Sequence, residues 1–362
     1  MSHGIPRGSG VQPATAEDRQ KELQKIKDYK GLVESVHLRI QERQYTIDTL
    51  DLTTKLLRWN PEFYTIWNHR RLIMRHILSA GSGEDGQGFK TSHDASVNII
   101  SDELSFLLPL MRKYPKCYWI WNYRLWLLEQ STHYLPAVAG RQLWQQELAL
   151  ASKMLSLDSR NFHGWGYRRT VVNALESPEL QSDGSASTLT EQEFDYTTKM
   201  INTNLSNFSA WHTRSKLIPK VLTKKQADKV ARRKFLDEEL ELIQRALWAG
   251  SEDQSLWFYH QNLMSTFDPK YAADSMAPDL SGEERLEYVT QEIGRIQEML
   301  DGAEDCKWIY QSLISLSILY KCLSGKWPVG QSVIGHWVDE LAKLDPLRAN
   351  RWADLRRDLG AP

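Results

Sequence analysis

The sequence predicts an all-α protein, built as an α–α superhelix: a right-handed solenoid of helical hairpins that curves into a crescent. Three observations predict it. Tryptophan, ordinarily scarce, occurs 14 times in 362 residues. Six of those tryptophans recur inside one motif at nearly regular spacing. Helix breakers are few, with Gly 20 and Pro 13 together about 9 % against roughly 12 % in an average chain.

The motif runs from Asn60-Pro61 to Trp67-Asn68-His69-Arg70-Arg71, then from Tyr114-Pro115 to Trp121-Asn122-Tyr123-Arg124. It continues as Asp158 to Trp165-Gly166-Tyr167-Arg168-Arg169 and Asn207 to Trp211-His212-Thr213-Arg214. A fifth copy ends in Trp257-Phe258-Tyr259-His260, and a degenerate sixth is placed on Trp308. The Trp-to-Trp steps are 54, 44, 46, 46 and 51 residues. They exceed the ~34 residues of a tetratricopeptide repeat, although the expected crescent is tetratricopeptide-like.

Taken along the chain, residues 1–16 read as a disordered tail, and 17–360 as a single helical-repeat domain. Residues 17–45, rich in Lys, Glu and Gln, predict an N-terminal helix or helical pair. Before each motif lies a helical apolar stripe: Ile47, Leu50, Thr54 and Leu57; Trp144, Leu148, Ala151 and Leu155; Phe194, Thr198, Ile201 and Leu205; Leu236, Leu240, Ile243 and Leu247; Leu286, Val289, Ile293, Ile296 and Leu300. Thr190…Glu193 and Ser281…Glu284 have capping-box spacing. Pro109 predicts a kink in its helix. The segments Ala80–His93 and Ser177–Leu189 read as exposed connections.

Each Trp shares a helix face with the residue three later. The pairs are Trp67 with Arg70, Trp121 with Arg124, Trp165 with Arg168, and Trp211 with Arg214; His260 follows Trp257. An indole between hairpins, beside a guanidinium that pairs with a neighbour's carboxylate, predicts a repeat-to-repeat staple that touches no ligand. The aromatic three before Trp (Tyr64, Tyr118, Phe162, Phe208) is expected in the core.

A function carried on a repeat scaffold should appear as a departure from the repeat. Lys116 lies five before its Trp in an aromatic neighbourhood, and His163 lies two before the next motif's Trp. Adjacent repeats would set both on one rim, where with a tyrosine hydroxyl they suit an anion such as a diphosphate. A surface lysine and a hydrogen-bonded histidine explain the same residues. The run Arg232-Arg233-Lys234 precedes Asp237, Glu238 and Glu239 and reads as a solvated helix face.

Composition narrows the rest. Lys+Arg is 45 and Asp+Glu 46, a net charge of −1, which argues against nucleic-acid binding through overall charge. No apolar run reaches the ~20 residues of a membrane span, and no secretory signal pattern opens the chain, so a cytoplasmic protein that is not integral to a membrane is expected. Cys117, Cys306 and Cys322 lack the spacing of a metal site, so no metal site is expected in this chain.

Tandem repeats of the form Asn…Trp-x-x-Arg-Arg resemble those of protein prenyltransferase α subunits, over roughly Leu50 to Leu263. Within that family Trp67-Asn68 and Asn161-Phe162-His163-Gly164-Trp165 are similar to the Rab-type (type II) geranylgeranyltransferase α subunit. Trp119 stands where the farnesyl-type α subunit has the glutamine that reads a C-terminal carboxylate. The ending soon after Leu344-Asp345-Pro346 resembles the short, fungal-like form. The resemblance implies a heterodimer whose β subunit carries the zinc, geranylgeranyl diphosphate as the lipid donor, and Rab GTPases presented by a Rab escort protein as substrates. It implies that Lys116, Tyr118 and His163 contact the diphosphate leaving group. The alternatives are the farnesyl/type I α subunit and a non-enzymatic interaction scaffold. His3 is weighed as an inhibitory arm reaching a partner's metal, against a plain tail residue.

Overall fold

The computed structural model describes residues 15–80, 93–180 and 188–360. His3 and the tail up to residue 14 lie outside the described residues. So do the centres of the two expected connections, 81–92 and 181–187. Among the described residues there are fifteen α-helices and no strand. The chain divides into two compact units, Met1–Ala186 and Ser187–Pro362.

The first unit opens with α1 (Ala16–Gln41), a single long helix that starts on a capping box between Thr15 and Asp18. Three hairpins follow: α2 (Ile47–Trp59) with α3 (Tyr64–Ala80), α4 (His93–Lys113) with α5 (Tyr118–Tyr134), and α6 (Ala137–Leu157) with α7 (Phe162–Leu175). The partners in each hairpin pack together, and α5 also packs against α3 and α7. Helix α4 runs continuously through Pro109.

The second unit holds four hairpins: α8 (Thr190–Thr203) with α9 (Phe208–Lys224), α10 (Lys229–Ala249) with α11 (Gln254–Ser265), α12 (Gly282–Glu298) with α13 (Lys307–Ser324), and α14 (Gln331–Leu344) with α15 (Ala349–Leu359). The last pair is a hairpin beyond the six expected. Its Trp352 is the fourth residue of α15, as Trp67, Trp121, Trp165, Trp211 and Trp257 are the fourth residues of their helices.

That shared position has a shared bond. The buried indole N–H of each repeat Trp donates to the carbonyl six residues back: Trp67 to Pro61, Trp121 to Pro115, Trp165 to Ser159, Trp211 to Leu205 and Trp257 to Ser251, at 2.6–3.0 Å. A buried N–H without such an acceptor would cost about 1–3 kcal/mol. The bond pins the turn that feeds each second helix. In the sixth hairpin the Tyr310 hydroxyl makes it instead, to the Glu304 carbonyl at 3.0 Å. The repeat position expected at Trp308 is therefore Tyr310, the fourth residue of α13. In the seventh hairpin the buried Trp352 indole N–H has no such partner.

A second bond to the same carbonyls ties one hairpin to the next. Pro61 also accepts from the Cys117 thiol at 3.5 Å, Pro115 from Asn161 Nδ2 at 3.0 Å, and Ser251 from the Cys306 thiol at 3.2 Å. Burial pushes both thiols up to about 11, so they serve as packed donors and not as nucleophiles.

Deeper in the stack, the arginines meet carboxylates. Arg70 forks onto Glu103 of the next hairpin, with Nη2 to Oε2 at 2.7 Å. Arg124 forks onto Glu147 at 2.5 and 2.7 Å, and Arg214 onto Glu239. His260 meets Glu292 at 2.9 Å. A tyrosine two residues after the next Trp shares each carboxylate: Tyr123 on Glu103, Tyr167 on Glu147 and Tyr259 on Glu239, at 2.6–2.8 Å. Burial and the adjacent carboxylate hold these phenols well above their usual range. The spare Nη1 of Arg70, Arg168 and Arg214 goes to a hydroxyl sixteen residues back, on Thr54, Ser152 and Thr198, at 2.7–2.8 Å, and that of Arg124 to the Leu104 carbonyl at 2.7 Å.

This buried polar seam corrects several expectations. Ile47 is exposed, and α2 buries Thr49, Thr53, Leu56 and Leu57, because the side facing Arg70 must supply acceptors. On α8 the buried set is Thr190, Glu193, Thr197, Met200 and Ile201, with Phe194 and Thr198 only half-buried. Ser281 and Glu284 form their capping box, but Thr190 is the first helical residue of α8, behind an N-cap Leu189 with no side-chain cap. Tyr64, Tyr118, Phe162 and Phe208 are exposed, Phe162 by 75 %. Each is the first residue of its helix, so no preceding turn covers it; the core position is the Trp one turn deeper.

Candidate functional site

Lys116, Tyr118 and His163 lie together on one edge of the first unit. Lys116 is in the turn between α4 and α5, Tyr118 opens α5, and His163 is the second residue of α7. The Tyr118 and His163 rings are 6.0 Å apart between centroids, tilted by 55°. Trp119 backs Tyr118 edge-on at 5.1 Å and stands against Tyr64 at 5.4 Å. The edge is thus an aromatic shelf carrying one cation and one imidazole.

Local sequence explains the placement. Asn161 caps α7, its Oδ1 accepting from the amides of His163 and Gly164 at 3.0 and 3.3 Å. Its Nδ2 holds the Pro115 carbonyl, next to Lys116. One asparagine thereby locks the His163 turn onto the Lys116 turn. Cys117, the N-cap of α5, gives no side-chain cap. The positive end of α5 therefore lies beside Lys116 without an anionic cap of its own.

The Lys116 side chain is half exposed and its Nζ is 2.5 Å from Asp158 Oδ2. Burial works against the Asp158 charge, but the hydrogen bond and charge of Lys116 outweigh it, and the carboxyl stays below its usual range. Burial lowers the His163 pKa below its ordinary value, and the Lys116 charge lowers it further. His163 is consequently neutral at pH 7 and offers one ring N–H. The edge presents an ammonium, a phenol and an imidazole, which are donors for an anion and not a nucleophilic constellation.

Sequence reasoning missed Asp158 as a partner of Lys116, although it lies seven before Trp165 in the quoted motif. It also missed Glu103, Glu147, Glu239 and Glu292. A numerical signal was available: each lies eighteen residues before the fourth residue of the next second helix, at Trp121, Trp165, Trp257 and Tyr310.

A family model described as "Protein prenyltransferase alpha subunit repeat" matches residues 48–77, 100–131, 144–175 and 190–221. The chain is 39 % identical over 176 residues to the geranylgeranyl transferase type-2 subunit alpha of Candida albicans, covering 49 % of this chain and 44 % of that one. It is 39 % identical over 175 residues to the protein of the same name from Saccharomyces cerevisiae, covering 48 % of each. The chain thus carries protein prenyltransferase α-subunit repeats. It spans about half the length of these curated relatives. A rat protein of the same name is 34 % identical over 154 residues, 42 % of this chain and 24 % of that one.

The fold extends further than the sequence match. A chain of the Candida albicans protein geranylgeranyltransferase-I complexed with GGPP superposes with a TM-score of 0.61 at 21 % identity, covering 92 % of this chain and 91 % of that one. The four matched repeats correspond to the α2–α9 hairpins. The Trp257, Tyr310 and Trp352 hairpins continue the same register beyond them. No described helix is long and apolar enough to cross a membrane.

Proposed function

We propose that this chain is the α subunit of a heterodimeric type II geranylgeranyltransferase, acting in the cytoplasm. The single observation that carries the reading is the grouping of Lys116, Tyr118 and His163 on one exposed edge, in a chain whose repeats and relatives are of this family. The β subunit would pack against that edge, where Tyr64, Tyr118 and Phe162 stand exposed. Aromatic anchors of this kind favour a partner surface. Rab GTPases, presented by an escort protein, are the protein substrates, and geranylgeranyl diphosphate is the lipid donor.

In the reaction a cysteine sulfur of the Rab C-terminus forms a bond to C1 of the lipid, and the C1–oxygen bond to diphosphate breaks. The zinc of the β subunit would supply the thiolate. The share of this chain is the leaving group. Negative charge grows on the diphosphate as the C–O bond lengthens, so donors aimed at it stabilise the transition state more than the ground state. Lys116 would contribute a full charge, Tyr118 an O–H, and neutral His163 an N–H.

Co-purification followed by kinetics tests the reading. A β-like zinc subunit should copurify with the chain. In the heterodimer, Lys116→Ala should slow single-turnover transfer roughly 10- to 100-fold while assembly is kept. Absence of a β-like partner, or an unchanged single-turnover rate, would overturn it. Transfer to a tetrapeptide-ended substrate in preference to Rab would reassign the dimer to the farnesyl/type I class.

A further inference from the structure

We infer that Arg71 and Asn122 fix the hydrogen-bond direction at Tyr118, so that its phenol keeps its one proton for an anion outside the chain. Asn122 and Arg71 are then positioning residues, and the inference rests on Tyr118 being a contact of the diphosphate.

Arg71, on α3, gives Nη1 to Asn68 Oδ1 at 2.9 Å and Nη2 to Asn122 Oδ1 at 2.7 Å. A guanidinium only donates, so both amides must turn their oxygens toward it. Asn122 then has its NH₂ on the other side, and Nδ2 lies 3.3 Å from the Tyr118 oxygen. An amide nitrogen also only donates. The Tyr118 oxygen therefore accepts here, and its O–H proton is not spent on Asn122.

The relay is well anchored at its far end. The Arg71 guanidinium lies over Tyr123 at 5.4 Å and over Trp126 at 5.8 Å, and both rings belong to the core. Tyr118 and Asn122 are four apart on α5, hence on one face. Asn68 and Asn122 occupy the same repeat position, directly after Trp67 and Trp121. Two equivalent asparagines from adjacent hairpins thus grip one arginine, and the second passes the orientation to a half-exposed phenol 6.0 Å from the His163 ring.

Tyr118→Phe and Asn122→Leu, alone and combined, test this in the heterodimer with geranylgeranyl diphosphate. Leucine is close in size to asparagine and neutral, so it removes the direction-setting donor without adding charge. The expected result is a single-turnover rate about tenfold lower for Tyr118→Phe and severalfold lower for Asn122→Leu. Lipid affinity should stay within about twofold, because the contact strengthens only as charge develops. The double variant should be no slower than Tyr118→Phe alone.

Asn122→Asp keeps the shape and serves if the leucine variant does not assemble. A carboxylate only accepts, so it takes the Tyr118 proton, and transfer should slow at least as much as with leucine. Its added slowing should shrink when Tyr118 is Phe. A wild-type rate for Asn122→Leu or Asn122→Asp, beside a slowed Tyr118→Phe, would overturn the inference alone. So would an Asn122 effect of equal size with and without the Tyr118 hydroxyl. A wild-type rate for Tyr118→Phe with a slowed Lys116→Ala would also overturn it. Wild-type rates for both would overturn the reading of the site as well.

Discussion

Lys116 donates from Nζ to Oδ2 of Asp158 at 2.5 Å, from one hairpin to the next. The two partners are not equally free. Asp158 ends α6, and its other oxygen accepts from the Arg160 amide at 3.3 Å. Lys116 is an ammonium on a flexible stem. If the proposed site holds diphosphate, that anion would compete with a fixed carboxylate for a mobile cation.

Asp158→Asn should tighten binding of inorganic diphosphate to the heterodimer by about two- to fivefold. It removes a competing exposed ion pair worth roughly 1 kcal/mol or less. Calorimetric titration measures it. Unchanged or weaker binding would show that Asp158 aims Lys116 at the anion instead of competing for it.

His163 gives a pH test with a definite sign. Its folded pKa lies below the ordinary value, so the folded chain binds its proton at lower pH than the unfolded chain does. Between the ordinary His pKa of about 6.5 and that lower folded value, the unfolded state holds more protons, and acidification destabilises the fold. Lys116→Ala removes the second cause of the shift and leaves the first, burial. The imidazole resonance should then titrate at a higher pH than in the wild type, still below 6.5. A downward move would contradict the assigned causes.

The buried ion pairs should be fragile to single changes. Arg214 and Glu239 are both nearly fully buried and bonded in two places. Glu239→Gln leaves the guanidinium without its counter-charge, and denaturant unfolding should show a loss of about 3–5 kcal/mol. Replacing the whole set, Arg214→Met with Glu239→Leu and Tyr259→Phe, should recover most of that loss. Tyr259 must be included because its hydroxyl bonds to Glu239 and would otherwise be stranded. A triple variant as weak as Glu239→Gln would show that the pair adds net stability beyond filling space.

Much of this architecture was legible because tryptophan marks one position per hairpin, and a large buried side chain with a single N–H leaves few alternatives. The grouping of Lys116 and His163 on one edge was legible because both residues break the repeat. What escaped the sequence was what depends on direction or on a partner far along the chain. Tyr64, Tyr118, Phe162 and Phe208 read as core by helical spacing, yet a helix's first residue has nothing packed above it. Glu103, Glu147, Glu239 and Glu292 read as ordinary polar residues on amphipathic helices. Only a bond spanning twenty-three to thirty-three residues shows them as acceptors for Arg70, Arg124, Arg214 and His260. Trp308 drew the sixth repeat two residues out of register because a Trp was present where the chain in fact uses a Tyr.

That register can be tested directly. If Tyr310 holds the place of the repeat tryptophan, its hydroxyl does the work of an indole N–H, closing the turn onto the Glu304 carbonyl. Tyr310→Phe removes one oxygen and leaves the ring in its buried seat, so the loss should equal one hydrogen bond, about 1 kcal/mol in denaturant unfolding. Amide exchange should rise first in the 303–307 turn. Tyr310→Trp should be tolerated with at most a small loss, since five other hairpins seat an indole at the same position and bond it to the same carbonyl. Trp308→Tyr, by contrast, should leave exchange in that turn unchanged. Faster exchange there with Trp308→Tyr and none with Tyr310→Phe would return the repeat position to Trp308. It would also break the constant spacing of eighteen residues that links each acidic acceptor to its hairpin.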